Sequence, residues 1–189
     1  DKRVALDCSN PIEIKIASFS GKVQTYKLEV RNSGLPLLDI SSTGTITTDW
    51  QEGCKFSSTD GNVTFSETIA FRGRGGSFSE ERKNNYGMKF ESKQSLLGLP
   101  KGKRWILLSN GDDETLIRCR LALDLYKTYL NTTWSPNVSP CELVIDGKYQ
   151  GSYLLAEQIR VTDERVPDGY ILSIELEEDE DDDVFRSEI

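Results

Sequence analysis

The 189-residue sequence contains no histidine. That excludes His-based triads, histidine general bases and histidine metal ligands, and leaves any chemistry to carboxylates, lysines, arginines and hydroxyls. Cysteine is scarce. Cys8, Cys54, Cys119 and Cys141 lie far apart with no CxxC pair, so a zinc site of the usual spacing is not expected. Cys119 and Cys141 each fall in an apolar element, where buried free thiols are the expected state and a disulfide between them is the alternative. No apolar run approaches the roughly 20 residues needed to span a bilayer. Positive charge is also short: the net charge of −8 argues against general nucleic-acid binding.

The charge that is present is unevenly spread. Nine Lys/Arg and three Glu lie between Arg72 and Arg104, whereas twelve Asp/Glu and three Arg lie between Arg160 and Ile189. An anionic ligand would be drawn to the middle of the chain, although a solvated surface explains such a patch about as well. The acidic run from Glu175 to Asp183 reads as a solvated loop, with divalent-metal binding as the sharper and less favoured alternative.

Along the chain, Ile12-Glu-Ile-Lys-Ile and Tyr26-Lys-Leu-Glu-Val alternate apolar and polar residues around Ser20-Gly21, a hairpin pattern that ends near residue 34. Strands are expected over Leu35 to Ile40, Trp50 to Phe56, Val63 to Phe71, Tyr86 to Glu91 and Trp105 to Leu108. In the run around Lys89, alternation places that lysine on the face opposite Met88 and Phe90. Asp112 or Asp113 is placed to cap a helix. In that helix Leu116, Cys119, Leu123, Tyr126 and Leu130 recur at three- and four-residue steps, which predicts one apolar face. Two further apolar runs, Cys141 to Ile145 and Gly151 to Ala156, flank Asp146-Gly147-Lys148 and read as a second hairpin against which the helix face is expected to pack. The hairpin leads into Glu157-Gln158-Ile159, a polar strand exit of the kind that often carries ligand-binding groups.

Phe71-Arg-Gly-Arg-Gly-Gly-Ser-Phe78 follows directly on a strand. Glycines there let backbone amides approach an anion, with Arg72 and Arg74 adding charge. A tight turn is the plainer reading of the same glycines.

In combination, Arg72-Gly-Arg-Gly-Gly-Ser77, Tyr86 to Phe90, Leu96-Leu-Gly-Leu-Pro100, Trp105-Ile-Leu-Leu108, the Arg118 helix and Glu142 to Ile159 resemble the CotH kinase family, named after spore coat protein H. The sequence departs from the family pattern at Gly76, Phe78, Asn85 and Cys119. The resemblance implies an atypical kinase-like fold, here of class α+β: an antiparallel twisted sheet with one principal helix, over residues 35–189, preceded by the hairpin unit of residues 1–34. It implies ATP and Mg2+ as cofactors, a nucleotide and a surface or coat protein as partners, and an extracellular or cell-surface location. By position it assigns Arg72, Gly73, Arg74, Gly75 and Ser77 to a glycine-rich nucleotide segment, Lys89 to the ATP phosphates, and Glu157 to the approach to a hinge. The magnesium-holding and acceptor-positioning acids are expected in a second lobe following residue 189, so no catalytic or metal-binding residue is assigned. The rival expectation is a secreted or surface binding module that keeps the scaffold without kinase activity.

Overall fold

The structure, a computed structural model, describes residues 12–28, 33–60, 63–76, 78–79, 82–129, 134–162 and 165. The first hairpin forms as its alternation predicts: β1 (Ile12–Ala17) pairs antiparallel with β2 (Val23–Leu28), Ile14 opposite Tyr26, around Gly21 at φ +80°. The pair is a two-stranded sheet of its own.

The remaining strands are β3 (Leu37–Ser41), β4 (Gln51–Asp60), β5 (Val63–Arg74), β6 (Asn85–Gln94), β7 (Gly102–Leu108), β8 (Val138–Ile145) and β9 (Lys148–Glu157). They form a closed barrel in the order β3-β4-β5-β6-β7-β9-β8. Every pairing in it is antiparallel except the closing one, where β3 runs parallel to β8 with Leu38 opposite Leu143. Inward side chains alternate along each strand, and Leu38, Phe56, Phe71, Met88, Phe90, Trp105, Leu107, Leu143 and Leu155 fill the interior.

The β8–β9 turn explains how the barrel closes. Asp146 and Gly147 both take positive φ, +50° and +71°, the backbone a two-residue hairpin turn requires. That geometry frees Asp146 to reach β3. Its backbone N–H donates to the Ile40 carbonyl at 2.9 Å, and its carboxylate accepts from the Ser42 N–H at 2.7 Å and the Ser42 hydroxyl at 2.8 Å. One turn residue thus links two strands about a hundred positions apart in sequence.

This architecture corrects the expected fold class. The protein is mostly β, with a closed seven-stranded barrel and, among the described residues, a single short helix, α1 (Arg118–Tyr129). The capping expectation is met by Asp113, whose carboxylate accepts from the Thr115 hydroxyl at 2.6 Å, the Thr115 N–H at 3.0 Å and the Arg118 N–H at 2.8 Å. The Thr115 hydroxyl, foremost among these groups, holds the Asp113 carboxyl below its ordinary pKa. The packing expectation is not met. No residue of α1 is buried, and Leu121, Leu125 and Tyr129 stand exposed; Leu130 lies outside the described residues. The reason is closure. Leu143, Ile145, Tyr153 and Leu155 bury themselves against the opposite strands of the same barrel, so the hairpin has no apolar face left for a helix. Cys54, Cys119 and Cys141 are free thiols, and Cys141 sits in the barrel interior.

Candidate anion-binding site

Strand register decides which sequence-predicted residues meet. Cross-strand partners share a face of the sheet, and Lys89 of β6 lies opposite Arg104 of β7 and Ala70 of β5, with Arg72 opposite Gly87. Phe71, Met88, Trp105 and Glu157 make the neighbouring row and point to the other face, where Phe71, Met88 and Trp105 are core. Arg72, Lys89 and Arg104 are therefore gathered outside the barrel, and Glu157 is turned inside.

The outer group is organised by Trp50, a residue that sequence reasoning did not single out as functional. The Arg72 guanidinium lies 4.6 Å from the centroid of the indole, Arg104 5.8 Å and the Lys89 ammonium 6.0 Å. An aromatic face attracts cations through its quadrupole, and here one ring gathers three. Gly87 lies against this group: a Cβ there would stand 3.4 Å from the Trp50 ring, 3.4 Å from the Arg74 stem and 3.5 Å from the Arg72 stem, in ordinary van der Waals contact. Crowding of like charge is visible in the ionisation of these groups. The Arg74 guanidinium is pushed below its ordinary pKa first by burial and then by Arg72. Arg104 is pushed the same way by burial, then by Arg160 and Arg72.

Among the described residues one ion pair with this group is seen. Glu52 pairs with Lys89 at 3.5 Å, but its side chain is 71% exposed, so the pair is weak and readily displaced. Arg72 donates through one terminal nitrogen to the Thr48 carbonyl at 3.4 Å, and its Nε is buried with no hydrogen-bond partner among the described residues. The group can thus offer an anion both charge and donors.

The glycine-rich turn has a different local logic. The Gly73 N–H donates to the Thr47 carbonyl at 2.7 Å, and a Cβ at Gly73 would fall 2.2 Å from the Phe78 ring; glycine is required there by packing. Gly75 takes φ +93°, and its carbonyl accepts from the Phe78 N–H at 3.1 Å, closing the turn. Ser77 lies outside the described residues. Beyond the turn, Arg74 enters a cleft of about 230 Å³ shared with Arg82, Lys83, Asn85, Ser109 and Asp112. There the Lys83 ammonium donates to the Ser152 carbonyl at 2.5 Å and lies 4.7 Å from the Tyr153 ring, and burial lowers its pKa.

Glu157 is a buried anchor. One carboxylate oxygen accepts from Arg165 at 2.9 Å, and the other accepts from the backbone and side-chain N–H groups of Asn137 at 2.9 and 2.7 Å. The Glu157 and Arg165 side chains are 2% and 8% exposed.

Among the described residues no group of three or more His, Cys, Asp or Glu side chains is placed to hold a metal ion, and no described helix is long and apolar enough to cross a membrane. No curated protein matches the chain. The family model described as CotH kinase protein matches residues 70–185, from the outer cation strand β5 onward and over more than half of the sequence. The chain belongs to the CotH kinase protein family.

Proposed function

We propose that this CotH-family chain is the nucleotide-side portion of a CotH-like protein kinase, and that Arg72, Arg74 and Lys89, joined by Arg104, receive the phosphates of ATP. The observation that carries the reading is the convergence of three cations on Trp50 with one exposed carboxylate against them. A polyphosphate chain suits this donor set: Arg72 and Arg104 offer planar forks, and Lys89 offers a compact charge that exchanges Glu52 for phosphate. Bound ATP would supply the transferable phosphoryl group, and charge neutralisation with positioning is most of what a protein contributes to that chemistry. Among the described residues none is assigned to Mg2+, which in this reading is held by acids of a second lobe together with the acceptor. Glu157 takes a supporting role, fixing the end of β9 through Arg165 and Asn137. In the same reading residues 1–34 form a separate unit ahead of the CotH unit, the protein works outside the cell or at its surface, and the acceptor is a surface or coat protein.

A second reading, a surface binding module without catalysis, is favoured by one observation. The Gly73 amide is already committed to Thr47, so it does not point at a phosphate as the amides of a nucleotide-cradling turn do. Calorimetric titration of ATP with magnesium into the full chain, into Lys89→Ala and into Arg72→Gln separates the two. The kinase reading expects at least fivefold weaker binding in each variant and affinity that falls with salt. Equal affinity in all three proteins would remove these residues from the site, and no binding by any of them would leave the module reading.

A further inference from the structure

Beside Arg104, the segment after β9 and strand β7 together line a cleft of about 170 Å³ with Lys93, Lys103, Arg104, Arg160, Thr162 and Arg165 on its walls. No acidic side chain lines it among the described residues. Arg165 pairs through one terminal nitrogen with Glu157 at 2.9 Å, but Lys103, Arg104 and Arg160 add charge that no described lining residue balances. The strain of that arrangement reaches Arg104, whose pKa is lowered by burial and next by Arg160. An independent sign comes from Thr162. Its hydroxyl oxygen is buried and has no hydrogen-bond partner among the described residues, an unusual state for a polar group. A donor without an acceptor, set among cations with no anion among the described lining residues, describes the complement of an oxyanion.

Size narrows the ligand. A water occupies about 30 Å³ in the liquid, so the cleft holds the equivalent of five or six waters. That suits one tetrahedral oxyanion with part of its hydration and falls below the roughly 300 Å³ from which sites for drug-sized ligands start. We propose that this cleft binds a single phosphate group, as the inorganic ion or as a monoester, through Arg160, Lys103 and the Thr162 hydroxyl together with Arg104, the one residue it shares with the cations around Trp50. The site does not depend on the nucleotide reading, because its own determinants, Arg160 and Thr162, belong to no part of the Trp50 group.

The test is calorimetric titration of inorganic phosphate and of O-phosphoserine into the full chain at low ionic strength, with Arg160→Gln, Thr162→Val and Arg72→Gln in parallel. The expected result is phosphate binding that weakens at least tenfold in Arg160→Gln and at least threefold in Thr162→Val, which keeps the shape of threonine and removes its donor. Arg72→Gln should change it less than twofold. Tighter binding of O-phosphoserine assigns the site to an ester carried on another molecule, and its exclusion assigns the site to the free ion. No phosphate binding by the unaltered chain, or binding unchanged in Arg160→Gln and Thr162→Val, overturns the proposal. So does an Arg72→Gln effect on phosphate as large as that of Arg160→Gln, which would place the anion at Trp50. Failure of the nucleotide reading shows separately, as ATP affinity indifferent to Arg72 and Lys89.

Discussion

Removing Arg165 should destabilise the protein far more than removing any exposed cation, because of what it would leave behind. Glu157 and Arg165 meet at 2.9 Å with 2% and 8% of their side chains exposed. Taking two charges out of water is costly, and their attraction repays that cost only while both are present, so breaking a buried pair typically costs about 3–5 kcal/mol. In Arg165→Met the Glu157 carboxylate would keep the two Asn137 donors, which places the expected loss at the lower end, about 3 kcal/mol. Glu157→Gln in the same background removes the stranded charge. The double variant should therefore be more stable than Arg165→Met alone, with a coupling energy of about 1–3 kcal/mol. Urea denaturation of the full chain followed by circular dichroism reads all four proteins of the cycle. A loss below about 0.5 kcal/mol in Arg165→Met, the size of a surface substitution, would refute the reasoning, as would a double variant less stable than the single one.

Other substitutions test the fold. Leu123→Ala should cost at most about 1 kcal/mol by thermal denaturation, since no residue of α1 is buried; a loss of about 2–5 kcal/mol, the range for a core leucine, would mean that the helix is packed after all. Gly73→Ala forces a methyl group onto the Phe78 ring and should cost about 1–3 kcal/mol, as overpacking does, with Phe78→Leu restoring part of it; a neutral Gly73→Ala would show that the ring does not rest there. Burial pushes the Cys141 thiol up to about 12. Because the folded state then holds its proton more tightly than the unfolded one, this contribution is complete below about pH 9 and lost as pH rises from there toward 12. The expected loss is about 1.4 kcal/mol by pH 10. Burial raises the Tyr153 phenol as well and adds to the decline at higher pH. Denaturation between pH 8 and 10.5 should show the decline in the unaltered chain and a shallower one in Cys141→Ala, and parallel curves would contradict it.

What the sequence made legible follows from how local each feature is. Asp146-Gly147 announced its turn because both residues tolerate positive φ, and the alternation around Lys89 correctly set it against Met88 and Phe90. The excess of cations between Arg72 and Arg104 marked the stretch whose strands carry the three cations around Trp50. The features that were hidden are those made by distant pairing. The parallel contact of β3 with β8 joins Leu38 to Leu143, and no short-range pattern encodes it, so the local patterns point to an antiparallel twisted sheet with a helix where the chain forms a closed barrel. The apolar spacing of Leu116, Cys119, Leu123 and Tyr126 did mark a helix; periodicity, however, reports a face and not its partner, and closure had already buried the surface assigned to it. Trp50 gave no signal as a lone tryptophan before β4, and Arg104 became informative only once register set it opposite Lys89. Glu157 and Arg72 were both read as ligand-facing, yet a one-residue difference in register parity sends them to opposite faces of the sheet.

The central claim is that the cations around Trp50 hold nucleotide phosphates, and a crystal structure of the chain with a non-hydrolysable ATP analogue tests it most directly. The account predicts phosphate oxygens at hydrogen-bond distance, about 3 Å, from the Arg72 and Lys89 heads, with Glu52 displaced from Lys89. Phosphates seated instead against Arg82 and Lys83, away from Arg72 and with the Lys89–Glu52 pair intact, would contradict it.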